Sequence, residues 1–289
     1  MRMRKARKAA WLLSLSVLAA DPALAQETCV NTLGVSRTIE VDATGGPWFG
    51  APYGDRNFLA PGEVVLTFDD GPTPHTTRPI LSALAAECTK ATFFVLGEMA
   101  AAHPDVIREI DAQGHTIGTH TWSHRNVKRL SDERMKVEIE STFASVETSV
   151  GHPIAPFFRY PYLSSSEASA AYLKSRNIAQ FAIDIDSFDW RSRNPRSVIR
   201  RVEASLVQHG GGIILLHDIH PSTAAAVPEI LALLKAKGFK VVHLTAKAPV
   251  ATLAAAPPPS GEPLRTPAPP RRRVVHAKSW FTTWKWPAW

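Results

Sequence analysis

Glu63-Val64-Val65-Leu66-Thr67-Phe68-Asp69-Asp70-Gly71-Pro72 is the stretch on which the fold turns. Val64–Phe68 is apolar or β-branched with no polar alternation, the pattern of a strand buried on both faces. It breaks abruptly on two carboxylates and a Gly-Pro pair, which is a turn signal. The same pattern recurs outward along the chain. Apolar runs stand at Ala91–Leu96, Thr116–His120, Pro156–Tyr160, Ala179–Asp186, Gly212–His217 and Phe239–Leu244. Helical patterns fill most of the gaps. Ser131 is placed to cap a helix that stops before Gly151, Pro104 to Gln113 is followed by Gly114, and Asn194-Pro195 opens a helix that closes at Gly210-Gly211. Seven strands interleaved with helices predict an α/β fold on a parallel sheet, either doubly wound or closed into a barrel.

The flanks read differently. Residues 1–25 join a basic start, an apolar run from Ala9 to Ala20 and the small-residue end Ala23-Leu24-Ala25. That predicts a cleavable export signal, with the mature chain starting near Gln26 and lying outside the cytoplasm. The apolar run is short for a membrane anchor. Residues 26–62 are expected to form an N-terminal arm, irregular over the Gly-, Pro- and aromatic-rich stretch from Arg37 to Ala60. Residues 63–248 are expected to form the main domain. Ala and Pro then dominate to Pro270, and Arg271-Arg272-Arg273 leads to an end that carries four of the eight Trp. By composition, residues 249–289 are a linker and a solvated tail; the alternative is contact with an envelope surface or glycan rings through its Trp side chains.

The net charge of +7 invites a nucleic-acid reading that its distribution removes. Eleven of the 33 basic residues lie before Ala9 or after Pro257, leaving 22 against 24 acidic once Asp21 and Glu262 are set aside. The core is near neutral and no nucleic-acid partner is expected. Cys29 and Cys88 are the only cysteines. In an exported protein they predict a disulfide that staples the arm to the domain, stabilising the fold by about 4 kcal/mol in the chain-entropy model.

Five strand ends carry chemistry. Asp69 and Asp70 repel unless a cation compensates them; a metal on one leaves the other free as a base. A plain Asp-Gly-Pro turn is the alternative for that segment alone. His120 and His124 can face one point, and with a strand-end Asp they make a two-His-one-carboxylate site with open positions. Arg159, between Phe158 and Tyr160, can hold a strand-end carboxylate ionised. Asp186-Ser187-Phe188-Asp189-Trp190 and Leu215-Leu216-His217-Asp218 bring an Asp and a His to adjacent strand ends, an orienter and an acid. All five lie at the same end of a parallel β/α array, where such folds assemble their sites.

From Val64 to Leu244 these residues resemble the polysaccharide deacetylase family, the NodB homology domain of carbohydrate esterase family 4. The resemblance implies a distorted barrel of seven or eight strands and removal of acetyl groups from N-acetylglucosamine-containing glycans, as chitooligosaccharide or peptidoglycan. It implies Asp69 as catalytic base, Arg159 as its holder, Asp70, His120 and His124 as ligands of a divalent metal (Zn2+ by default, Co2+ or others by chemistry), and the Tyr162 N–H as an oxyanion donor. Asp189 is then the orienter of the general acid His217, and Trp190, Leu215 and Tyr162 line the acetyl pocket. One departure is Leu163, where the family often carries Gly soon after the Arg-x-Pro-Tyr stretch. A non-catalytic glycan-binding wall module on the same fold and a non-haem iron oxygenase are the competing readings. The first needs a damaged metal triad or a missing base, and the second has no use for the Asp69–Arg159 and Asp189–His217 pairs.

Overall fold

A computed structural model describes residues 29–52, 54, 58–250 and 253. The expected export signal and almost all of the Trp-rich tail lie outside the described residues. The sheet has ten parallel strands: β1 (Arg37–Val41), β2 (Trp48–Phe49), β3 (Glu63–Asp69), β4 (Thr92–Val95), β5 (Thr116–Thr119), β6 (Phe157–Phe158), β7 (Ala179–Phe181), β8 (Ile185–Asp186), β9 (Gly212–His217) and β10 (Lys240–Ala246). From β8 the pairing runs through β9, β3, β4, β5, β6 and β7 to β2, and β10 joins β3 to β1. The ring is a barrel distorted at the β7–β8 step, where Asp184 bridges: its N–H donates to Ile213 O and its carboxylate accepts from the N–H of Ile213.

The all-apolar strands have their stated cause: both faces are covered. Along β3, Val64, Leu66 and Phe68 join the outer cluster under the helices, whereas Val65 joins an inner cluster with Phe94, Phe157, Phe181 and Ile213. Side chains alternate along a strand, so Thr67 and Asp69 follow Val65 to the inside. The helices are α1 (Pro74–Ala86), α2 (Gly97–Ala102), α3 (Pro104–Ala112), α4 (Asp132–Val150), α5 (Glu167–Ser175), α6 (Pro195–His209) and α7 (Pro221–Ala236). The caps fall where the sequence put them. Ser131 Oγ accepts from Arg134 N, Asn194 Oδ1 accepts from Arg196 N, and Gly151 and Gly210 close α4 and α6 at positive φ.

Two expectations are corrected. The stretch from Arg37 to Ala60 is not wholly irregular, since β1 and β2 pair in parallel with β10 and β7. The signal was the alternation Arg37-Thr38-Ile39-Glu40-Val41, whose Val41 is buried in the inner cluster with Ile39 packed against it. The expected strand Ala179–Asp186 is two, because the Phe181 and Ala182 carbonyls turn to the Arg159 guanidinium. Cys29 and Cys88 are joined in a disulfide. It ties the arm to the end of α1, beside the bonds that Leu33 and Gly34 donate to Glu87.

Candidate active site

Turns after β3, β5, β6, β8 and β9 open onto one cleft of about 420 Å³, with Asp70, His120, His124, Tyr162, Trp190 and His217 among its walls. Asp69 ends β3 and is buried, and Asp70 follows at φ 76°. Asp70 Oδ1 lies 3.5 Å from His120 Nε2 and 3.4 Å from His124 Nε2. His120 Nδ1–H donates to Arg159 O at 2.7 Å, which leaves the Nε2 lone pair facing the cleft. Burial, with His124 alongside, holds the His120 imidazole well below its usual pKa, and burial also lowers His124. Both rings therefore offer lone pairs at neutral pH.

Asp70 Oδ1 is itself buried without a hydrogen-bond partner. A carboxylate oxygen and two imidazole lone pairs, all within 4.8 Å of one another, repel unless a cation sits among them. The donor set, one oxygen and two nitrogens, suits zinc and its neighbours. The residues present fit a divalent cation.

On one side of this trio stands a buried ion pair. Arg159 Nη1 donates to Asp69 Oδ1 and to Thr67 Oγ1, each at 2.7 Å. The guanidinium spends its other donors on the Phe181 and Ala182 carbonyls and lies 4.2 Å from the Phe94 ring centre. Burial raises the Asp69 pKa to about 6 against the pull of Arg159. Asp69 Oδ2 is 3.9 Å from His120 Nε2, so one carboxylate oxygen is anchored and the other faces the cleft.

On the other side, Asp189 Oδ1 accepts from His217 Nδ1 at 2.7 Å, while Oδ2 accepts from the His217 N–H and from Thr223 Oγ1. Burial alone lowers a histidine, but the hydrogen bond and charge of Asp189, with Asp70 and Asp69 behind, raise His217 to about 9. Burial raises Asp189 too, and His217 outweighs it, leaving that carboxyl below its usual range. Trp190, half exposed, and buried Leu215 form the adjoining wall. Tyr162 sits at φ 59°; Leu163 and Ser164 supply the backbone hydrogen bonds of its turn, and the Tyr162 N–H takes part in none of them.

Several contributors left no local mark in the sequence. Thr67 and Thr223 act by contact with residues far along the chain. Glu138, buried in α4, accepts from the N–H and hydroxyl of Ser123 and so braces the loop between the two His. Asp218 is buried, takes a hydrogen bond from Thr77 and is raised by burial to about 7. It packs so closely on Gly71 that no Cβ fits there.

Residues 56–181 match the sequence pattern of the polysaccharide deacetylase family. A peptidoglycan-N-acetylglucosamine deacetylase of Bacillus cereus is 31% identical over 201 residues, 68% of this chain and 70% of that protein. The chain belongs to the polysaccharide deacetylase family. Two further relatives extend the comparison. The peptidoglycan-N-acetylglucosamine deacetylase PgdA of Listeria monocytogenes is 33% identical over 181 residues, 63% of this chain. The solved peptidoglycan deacetylase Bd3279 of Bdellovibrio bacteriovorus superposes with a TM-score of 0.68 at 34% identity over 76% of this chain. This polysaccharide deacetylase homologue spans 38% of the length of PgdA and 62% of the Bd3279 chain.

Proposed function

We propose that this chain is an exported, metal-dependent N-deacetylase that hydrolyses the acetamide of N-acetylglucosamine residues in peptidoglycan or chitooligosaccharide. The observation that carries the reading is the buried, unpartnered Asp70 Oδ1 facing two imidazole lone pairs, flanked by the Asp69–Arg159 and Asp189–His217 pairs. The names of the relatives support the substrate class.

Asp70, His120 and His124 are the residues that would hold the metal, zinc by default. A divalent cation there supplies Lewis-acid polarisation of the acetyl oxygen and acidifies water at neutral pH. The remaining work belongs to the chain. Asp69 Oδ2, with Oδ1 pinned by Arg159, takes the proton of a water directed at the acetamide carbon. The Tyr162 N–H donates to the oxygen as negative charge develops on it; one such donor contributes about 3 kcal/mol. His217 Nε2, held cationic through Nδ1 by Asp189, protonates the departing amine. Trp190 and Leu215 wall the acetyl methyl and keep bulk water from it. The products are acetate and a free amino sugar.

The test is acetate release from N-acetylglucosamine oligomers and from peptidoglycan, with and without a chelator. Release that the chelator stops and zinc or cobalt restores supports the reading. A folded, metal-loaded protein that releases nothing from these or from acetylated xylan overturns it in favour of a glycan-binding module.

A further inference from the structure

Asp218 is buried beside the site and has no part in the chemistry just described. β3 and β9 pair in register with Asp69 opposite His217, so the base and the acid leave the sheet side by side. The chains then part. Asp70 enters its turn at φ 76°, and Asp218 sends its side chain across to that turn. The Asp218 N–H donates to Asp69 O at 3.3 Å. Its Oδ2 accepts from Thr77 Oγ1 at 2.5 Å, and Thr77 Oγ1 in turn accepts from the Thr73 N–H at 2.9 Å. One carboxyl group therefore joins the end of β9 to the first turn of α1. The β4 side of the Asp70 turn is tied separately, by Asp70 N–H to Phe94 O at 3.3 Å and Leu96 N–H to Gly71 O at 3.1 Å. Gly71 shows how close the fit is. It is not at positive φ, so its backbone does not call for glycine. What excludes a side chain is Asp218: a Cβ on Gly71 would overlap the carboxyl carbon and both carboxyl oxygens. An apolar residue at 218 would avoid the cost of burying a carboxyl, but it could not take the bond from Thr77.

We infer that Asp218 is a positioning residue for Asp70: its carboxyl, wedged between Gly71 and Thr77, holds the Asp70 turn at the spacing from His120, His124 and His217 that the site requires. The inference rests on the metal-dependent deacetylase reading above. Asp218 acts through Asp70 and His217 and not on the substrate. Without the wedge, the turn has room to relax away from a left-handed Asp70, and the Asp70 carboxylate shifts against the two imidazoles. Residues that orient a metal ligand typically carry roughly 10- to 100-fold in metal affinity. A misplacement of about 1 Å among reacting groups can cost on the order of a hundredfold in rate.

The experiment measures zinc Kd by competition with a chromogenic chelator, and kcat and KM for acetate release from an N-acetylglucosamine pentamer. The proteins are the parent, Asp218→Ala, Asp218→Asn, Gly71→Ala and the Gly71→Ala/Asp218→Ala pair. Asp218→Ala is expected to raise zinc Kd about tenfold and to lower kcat of the zinc-saturated enzyme with KM little changed. Asp218→Asn keeps the shape and an acceptor for Thr77, and should recover most of both losses. Gly71→Ala should cost the parent about tenfold in zinc affinity but the Asp218→Ala background less than about threefold, because the group it collides with is gone. A residue that served only the fold would lower the melting temperature and leave zinc Kd of the folded protein unmoved. Parent-like zinc affinity in Asp218→Ala, or equal losses from Gly71→Ala in both backgrounds, overturns the inference. Should Asp218→Ala fail to fold, Thr77→Val removes the anchoring hydroxyl instead: it should weaken zinc binding and Thr77→Ser should restore it, and equal affinities in the two would overturn the inference. If the parent releases no acetate, the deacetylase reading falls, and the zinc affinities decide the role of Asp218 by themselves.

Discussion

Asp189→Asn tests the acid side of the site. The parent carboxylate accepts three hydrogen bonds, two from His217 and one from Thr223. An amide keeps the shape but turns one acceptor into a donor. If its NH2 faces His217 Nδ1, only the neutral imidazole with its proton on Nε2 is satisfied. Without the negative charge, burial, the largest influence on His217, pushes its pKa down instead of being overcome. The expected shift is from about 9 to 6.5 or lower, about 2.5 units or roughly 3 kcal/mol. At pH 8 the cationic fraction in the metal-free protein then falls from about nine tenths to roughly 3%, about thirtyfold, and kcat/KM of the loaded enzymes should fall at least as far from protonation alone. The sign for stability follows. A pKa raised in the folded state stabilises fully below the unfolded value of about 6.5 and ceases to do so as pH rises through 9. The metal-free parent should lose those roughly 3 kcal/mol between pH 6.5 and 9, and the variant should lose almost none over that window. Imidazole NMR of chelator-treated protein reads the pKa, urea midpoints read the stability, and pH profiles of the loaded enzymes read the basic limb. A bound cation lowers His217 in both proteins alike, so the difference survives loading. A variant whose His217 still titrates near 9, or whose basic limb coincides with the parent's, would refute the assignment of Asp189 as orienter.

Three other outcomes are expected. Arg159→Met leaves the buried Asp69 carboxylate without its cation, so the Asp69 pKa should rise above about 6 and the fold should lose about 3–5 kcal/mol in urea denaturation; Asp69→Asn added to it should recover part of the loss, and full additivity would contradict the pairing. Asp69→Asn alone should bind zinc in equilibrium dialysis yet release no acetate, whereas His120→Ala should lose both, and tight zinc retained by His120→Ala would sink the ligand assignment. Leu163→Gly should change stability by no more than about 1 kcal/mol in thermal melts, because relief of a left-handed leucine and the extra freedom of glycine in the unfolded chain oppose each other at similar size; a larger loss would show that Leu163 acts as core.

The strand ends were legible because each signal is contiguous. A strand buried on both faces is apolar or β-branched almost throughout, so the first carboxylate, His or Arg after it marks the point where the strand leaves the core. Asp69, His120, Arg159 and His217 all stand there, and the common end of the array brings them together without further information. The arm was misread for the converse reason. β1 is an edge strand that buries one face, and five alternating residues among Gly and Pro give a weak signal. Thr67 and Thr223 were invisible because a hydroxyl that meets Arg159 or Asp189 does so across 92 and 34 residues. Glu138 looked like one more polar residue of a helix until the fold turned it inward to Ser123.

The departure at Leu163 has a physical side. Of nine non-glycine residues at positive φ among those described, six lie in the turns of the cleft: Asp70, Thr121, His124, Tyr162, Leu163 and Phe188. A left-handed L-residue costs roughly 1–2 kcal/mol, so the cleft gathers most of this strain among the described residues. Such strain persists only where the surroundings over-determine the backbone, and here they do. Each strained turn leaves the end of a buried parallel strand, and three of the four are held by an inward partner: Gly71 jammed on Asp218 beside Asp70, Glu138 on Ser123 between Thr121 and His124, and Asp186 on the N–H of Phe188. Glycine would make these turns without strain, but glycine has no carboxylate, imidazole or ring to offer. At Asp70 and His124 the strained residue is the proposed ligand, and at Tyr162 its ring stands against His124 at the cleft. At Leu163 no such chemistry is needed, φ is 51°, and this is the neighbourhood in which the family often carries Gly. The barrel therefore tolerates strain where a side chain must point into the cleft, and Leu163 is the position where the strain serves only the shape of the rim.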